Sequence, residues 1–196
     1  MTIIKPRIRG FLCTTAHPEG CAKDVDNQIA HVQSQGKRDD GPKRVLIVGA
    51  SGGYGLASRI SAAFGFGAST IGVFFERPAS GNRTASPGWY KTAAFTERAK
   101  EAGLYTANVN GDAFSEEIKQ ATCDLIEKDL GQVDLVVYSL AAPARQLPDG
   151  SLVRSTLKPI GEPFEGMTID FVELEPGQSE FIFLNPNDPT YVAPRV

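Results

Sequence analysis

The chain has 196 residues, 41% of them apolar and 22% charged, with 20 Lys and Arg against 23 Asp and Glu for a net charge of -3. That is ordinary composition for one globular domain with a buried core, and its mild acidity argues against a nucleic-acid partner. No apolar run approaches the ~20 residues of a membrane helix, and the basic start at Lys5, Arg7 and Arg9 lacks a signal peptide's apolar stretch, so a cytoplasmic protein is expected.

Residues 1–43 are expected to form a leader unit packed on the core. Residues 8–13 suit a short strand, and residues 18–35 suit a helix, with Pro18 in its first turn and Ala22, Val25, Ile29 and Val32 along one face. From residue 44 to 141 the pattern alternates. Strands are expected at 44–48, 70–75, 104–109 and 133–140, and helices at 54–66, 90–102 and 115–130. The last helix has Ser115 as its N-cap, Glu116 and Glu117 in its first turn and Gly131 just past its end. Such alternation predicts an α/β fold, a Rossmann-like doubly wound parallel sheet with helices on both faces. Residues 142–196 break the pattern. Seven of the 13 prolines lie between residues 148 and 196, and extended pieces at 167–174 and 180–184 predict loop plus a hairpin. Four parallel strands leave an open edge, which the tail would cover with an antiparallel strand or which would drive homo-oligomerisation.

Cys13, Cys21 and Cys123 form no CxxC pair, and His17 and His31 are the only histidines. Three reduced thiols and no metal site follow.

The strongest chemical signal lies between the first strand and helix of the alternating region, in Gly49-Ala50-Ser51-Gly52-Gly53-Tyr54-Gly55. Its Gly-x3-Gly-x-Gly spacing is that of the short-chain dehydrogenase branch of Rossmann folds. One glycine permits the tight turn, one lets backbone approach a pyrophosphate, and one lets helix and strand pack closely. The helix N-terminus then offers unpaired N–H groups to the phosphates. Glu76 closes the next strand, 23 residues after Gly53, where a carboxylate would bond the adenosine ribose hydroxyls. It would repel a 2′-phosphate, so NADH is expected over NADPH, while the neighbouring Arg77 is the feature that suits NADPH. Asp112-Ala113 follows the third strand, where an aspartate can hold the adenine amino group or merely cap a turn. Ser139-Leu140-Ala141 closes the fourth, beside the nicotinamide ribose. The Gly/Ser/Pro-rich loop at 78–88 is a candidate cofactor cover or a simple solvated connection.

Several segments resemble the FabV-type enoyl-acyl carrier protein reductases, a family that includes the trans-2-enoyl-CoA reductases. They include Lys5-Pro6-Arg7-Ile8-Arg9-Gly10-Phe11, Thr14-Thr15-Ala16-His17-Pro18, Gly72-Val73-Phe74-Phe75-Glu76 and Asn110-Gly111-Asp112-Ala113-Phe114. Gln132-Val133-Asp134, Tyr138-Ser139-Leu140-Ala141 and Leu157-Lys158-Pro159-Ile160-Gly161 carry the likeness to about residue 171. The resemblance implies NADH-dependent reduction of the trans-2 double bond of enoyl thioesters, on acyl carrier protein or CoA, in fatty-acid biosynthesis. Cofactor contacts would fall on Gly49, Ala50, Ser51, Gly52, Gly53, Tyr54, Phe75, Glu76, Asp112, Ala113, Leu140 and Ala141.

The family's Tyr-x8-Lys catalytic pair is absent. Nine positions after Tyr54, Tyr90, Tyr105 and Tyr138 stand Ala63, Ala99, Phe114 and Leu147, and Tyr191 lies too near the end. A tyrosine with its ordinary pKa of about 10 needs a neighbouring cation to donate effectively. The resemblance therefore implies an incomplete form, with an inactive NAD(H)-binding module or interaction protein as the alternative. Tyr138 or Ser139 would be an unconventional donor, and Tyr138, as a strand residue, is expected chiefly to pack.

Overall fold

A computed structural model describes residues 4–9, 12–140, 142, 144–147 and 149–154, and the strands 166–169 and 181–184. For Arg9, Leu12 and the last two strands it describes the backbone alone. The chain divides into two compact units, residues 1–141 with 148–150, and residues 142–147 with 151–196.

The first unit opens on a hairpin of β1 (Ile8–Arg9) and β2 (Leu12–Cys13), where the sequence predicts one strand. Its ends are closed by Thr14 Oγ1 donating to Arg7 O and by Arg7 N donating to Thr15 Oγ1. Helix α1 (Pro18–Ser34) begins at proline, and the His17 ring nitrogen accepts from Gly20 N at 3.3 Å as its cap.

Then follow β3 (Arg44–Val48), α2 (Gly53–Ile60), β4 (Ser69–Phe74), α3 (Pro87–Glu101), β5 (Thr106–Asn110), α4 (Glu116–Asp129) and β6 (Leu135–Tyr138). Helix α2 runs on through one π-helical turn at Ser61–Gly65. The Ser115 hydroxyl caps α4 by accepting from Ile118 N, and Gly103 and Gly131, both at positive φ, end the turns after α3 and α4. Helix α3 starts three residues earlier than its apolar pattern suggests, because Pro87 supplies a first residue with preset φ.

The strands form one parallel sheet in the order β5-β4-β3-β6. The chain steps outward from β3 to β4 to β5, then returns to the far side of β3, so strand order reverses between β3 and β6. Right-handed crossovers put α2 and α3 on one face and α4 on the other. Strand β4 is buried on both faces, as an inner strand of a parallel sheet is expected to be.

Helix α1 lies in the groove between α2 and α3. Val25 and Ile29 join Leu56, Ile60, Ala63, Ala94, Phe95 and Ala99 in one cluster, each large side chain contributing about 1.5–3 kcal/mol. A second cluster of Val45, Ile47, Ala50, Ala62, Ala68 and Phe74 seals helix to sheet.

Between the helices and the sheet sits a fully buried cation, Arg59. Its guanidinium donates to Asn108 Oδ1, Thr106 Oγ1 and Ala107 O, each at 2.7 Å, and lies 4.6 Å from the Phe95 ring centroid. Gly72 makes the room, because a Cβ there would strike the guanidinium. Burial pushes the Arg59 pKa down to about 9, still above neutrality, so the side chain remains charged and donating at pH 7.

Strand β6 is the less covered edge: Leu135, Val136 and Tyr138 are exposed. In the second unit, β7 (Ala144–Gln146) pairs with β8 (Leu152–Arg154), a hairpin that the sequence does not suggest. There too β9 (Gly166–Ile169) pairs antiparallel with β10 (Phe181–Leu184), overlapping the segments expected to be extended at 167–174 and 180–184. An added antiparallel strand on the four-stranded sheet is not among the strands described.

Candidate functional site

The reversal of strand order makes a crevice at the carboxyl ends of β3 and β6, and the glycine-rich turn fills its floor. Gly49 N and Ala50 N both donate to Val73 O, at 2.8 and 3.0 Å, and Ser139 N donates to Val48 O at 2.8 Å. Gly49 has φ +91°, and a Cβ on it would run into the Ser139 carbonyl oxygen. A Cβ on Gly55 would run into the Gly49 carbonyl oxygen, so the turn, the first helical turn of α2 and the end of β6 meet backbone to backbone.

Helix α2 begins after Gly52 with no side chain capping its first N–H groups. An uncapped helix start beside a glycine turn is the arrangement that receives a phosphate.

Glu76 stands beside it. Ser51 Oγ donates to Glu76 Oε1 at 2.6 Å, linking the turn to the end of β4. The Glu76 backbone is held by the Asn110 amide: Glu76 N donates to Asn110 Oδ1 at 2.8 Å, and Asn110 Nδ2 donates to Glu76 O at 3.0 Å. The preceding residue, Phe75, projects into solvent, as does Tyr54 in the first turn of α2.

At the next strand end, Asp112 Oδ1 accepts from Phe114 N at 2.9 Å and Asp112 O accepts from Ser115 N. One carboxylate oxygen of Asp112 thus shapes the turn into α4, and Ala113 follows in that turn. Leu140 follows Ser139 past the end of β6, and its Cδ2 approaches Gly49. Ala141 lies outside the described residues. Every other residue singled out for the cofactor borders this one end of the sheet.

Tyr138 is the last residue of β6, but its side chain is 65% exposed. The expectation that it packs is not met: β6 is an edge strand, and nothing in the described residues covers that ring. Tyr105 lies elsewhere; burial and a hydrogen bond to Asp129 push its pKa up to about 12. Among the described residues, no group of three His, Cys, Asp or Glu is placed to hold a metal ion.

Two contributors escape sequence reasoning. Asn110 belongs to a recognisable motif, yet its grip on Glu76 depends on the register of β5 against β4. Gly88 falls within a segment predicted as loop, whereas it lies buried in the first turn of α3; Ser86-Pro87 is the signal that could have placed it. The loop between β4 and α3 is tied rather than loose: Ser86 pairs with Arg77, Ser80 with Arg83, and Ala16 N donates to Thr84 Oγ1. A separate cleft of about 590 Å³ opens between α3 and β5, lined by Phe74, Trp89, Thr92, Asn108 and others.

A family model described as the NAD(P)H binding domain of trans-2-enoyl-CoA reductase matches residues 3–81, and the trans-2-enoyl-CoA reductase catalytic region matches residues 83–182. The chain is 62% identical over 169 residues to an NADH-type enoyl-acyl-carrier-protein reductase of Serratia proteamaculans, covering 86% of this chain and 42% of that protein. Among solved structures it is similar to the trans-2-enoyl-CoA reductase of Treponema denticola in complex with NAD, at 45% identity and TM-score 0.83, over 96% of this chain and 48% of that one. A trans-2-enoyl-CoA reductase from Clostridium in complex with NADH gives 41% identity and TM-score 0.83, over 94% and 46%. The chain thus spans less than half the length of these relatives.

Proposed function

The chain belongs to the trans-2-enoyl-CoA reductase family, and from that premise we propose that it forms the NADH-binding part of a reductase acting on trans-2-enoyl thioesters of acyl carrier protein or CoA. The observation that carries this reading is the uncapped start of α2 behind a backbone-tight glycine turn, with the Glu76 carboxylate 2.6 Å from Ser51 Oγ beside it. The N–H groups of the turn and of α2 would receive the pyrophosphate. Glu76 would accept from the ribose hydroxyls and repel a 2′-phosphate, which favours NADH over NADPH. Asp112 and Ala113 would border the adenine, and Leu140 the nicotinamide ribose. Bound NADH would supply the hydride for C3 of the enoyl chain. Residues 44–141 would then be the dinucleotide-binding core and residues 1–43 a leader packed on it. Three free thiols suit a cytoplasmic setting.

A second reading is an NAD(H)-binding module without turnover, since Tyr54, Tyr90, Tyr105 and Tyr138 have no lysine nine positions on. NADH binding by fluorescence, run beside NADH oxidation with crotonyl-CoA, separates the two. The expected result is saturable NADH binding with little turnover by this chain; loss of any turnover in Tyr138→Phe would assign proton donation to that residue. Absence of NADH binding contradicts both readings.

A further inference from the structure

Glu76 is held from three directions. Asn110 fixes its backbone with two hydrogen bonds, at 2.8 and 3.0 Å, so the residue cannot rotate about the strand end. Ser51 Oγ donates to Oε1 at 2.6 Å. The third side is Gly88, buried in the first turn of α3, where an added Cβ would run into Glu76 Oε1 and stand 2.8 Å from Ser51 Cβ. No positive φ calls for glycine at this position. What the missing side chain provides is space, and the Glu76 carboxylate fills it. Ser86, which could have capped α3, instead exchanges hydrogen bonds with the Arg77 backbone. The carboxylate therefore lies against a helix start with no side-chain cap, where negative charge is stabilised.

We infer that Gly88, together with Ser51 and Asn110, positions the Glu76 carboxylate and thereby sets the discrimination between a free 2′-hydroxyl and a 2′-phosphate on the bound dinucleotide. The inference rests on the proposed NADH site and adds to it residues that never touch the reacting atoms. Glu76 selects only while its oxygens face the ribose. A methyl group at residue 88 displaces Oε1, breaks the bond from Ser51 and turns the carboxylate away. Affinity for NADH then falls, and repulsion of the 2′-phosphate weakens with it.

The test is a double-mutant cycle on the whole chain, with Gly88→Ala, Glu76→Ala and the pair together, reading the Kd values for NADH and NADPH by fluorescence titration. Thermal unfolding of each variant verifies that it is folded. The wild type is expected to prefer NADH, and Gly88→Ala to reduce the NADPH-to-NADH Kd ratio by about tenfold, the scale of one charged hydrogen bond. In the Glu76→Ala background the same substitution should leave the ratio unchanged, since no carboxylate remains to displace. Ser51→Ala, which adds no atoms, should shift the ratio in the same direction, and only while Glu76 is present. Gly88→Ala leaving the wild-type ratio intact, or changing it equally in both backgrounds, would overturn the inference while NADH binding stands. A wild type that binds neither dinucleotide would overturn the proposed function and this inference with it.

Discussion

At the scale of single residues, the glycine turn separates two kinds of glycine. Gly49 carries φ +91° and faces the Ser139 carbonyl, so both conformation and space exclude a side chain there. Gly52 has extended backbone at φ -165° and nothing within 4 Å of a built Cβ. Gly49→Ala is expected to lower stability by about 2 kcal/mol or more, from left-handed strain plus displacement of β6. Gly52→Ala should stay within about 0.5 kcal/mol of wild type. Urea denaturation of the two variants reads the difference, and equal midpoints would contradict the close approach of the turn to β6. The spacing from Gly53 to Glu76 was legible from sequence because a βαβ unit has a standard length. The clamp on Glu76 was not, since Ser51, Gly88 and Asn110 converge only after β4, α3 and β5 have paired and packed.

At the scale of elements, the sheet is pinned at its amino end by Asp134, just before β6. Its Oδ2 accepts from Lys43 N and Arg44 N at 3.1 and 2.9 Å, and its Oδ1 from Arg44 Nη2 at 2.6 Å. The Arg44 hydrogen bond holds the Asp134 carboxyl below its ordinary value, assisted by the two backbone N–H groups. A carboxylate whose pKa is depressed on folding contributes stability that is complete above its unfolded pKa of about 4 and is lost as pH falls through the folded value. Wild-type stability should therefore drop between about pH 4 and lower values, and Asp134→Asn should flatten that drop while being less stable at neutral pH. Denaturant midpoints across pH 3–7 measure it; parallel profiles for the two proteins would contradict the role given to this pair. Most element boundaries followed from apolar periodicity and caps. The misplaced start of α3 came from the preset φ of Pro87 and the splitting of residues 8–13 into a hairpin from local hydrogen bonding, neither of which apolar spacing encodes.

At the scale of the molecule, alternation of strands and helices predicted the parallel sheet, because short right-handed crossovers leave few other arrangements. The tail was less legible. Its prolines marked the end of the alternation, yet β7 and β8 are three residues each, too short for periodicity to reveal. What joins these scales is one end of one sheet, where a turn, a carboxylate and an uncapped helix start come together. Titrating NADH into the isotopically labelled chain, with backbone amide shifts followed by NMR, tests that convergence most directly. The account predicts the largest shifts at Gly49 to Tyr54, Glu76, Asp112 and Ala113. Shifts confined to the cleft between α3 and β5, or none at saturating NADH, would contradict it.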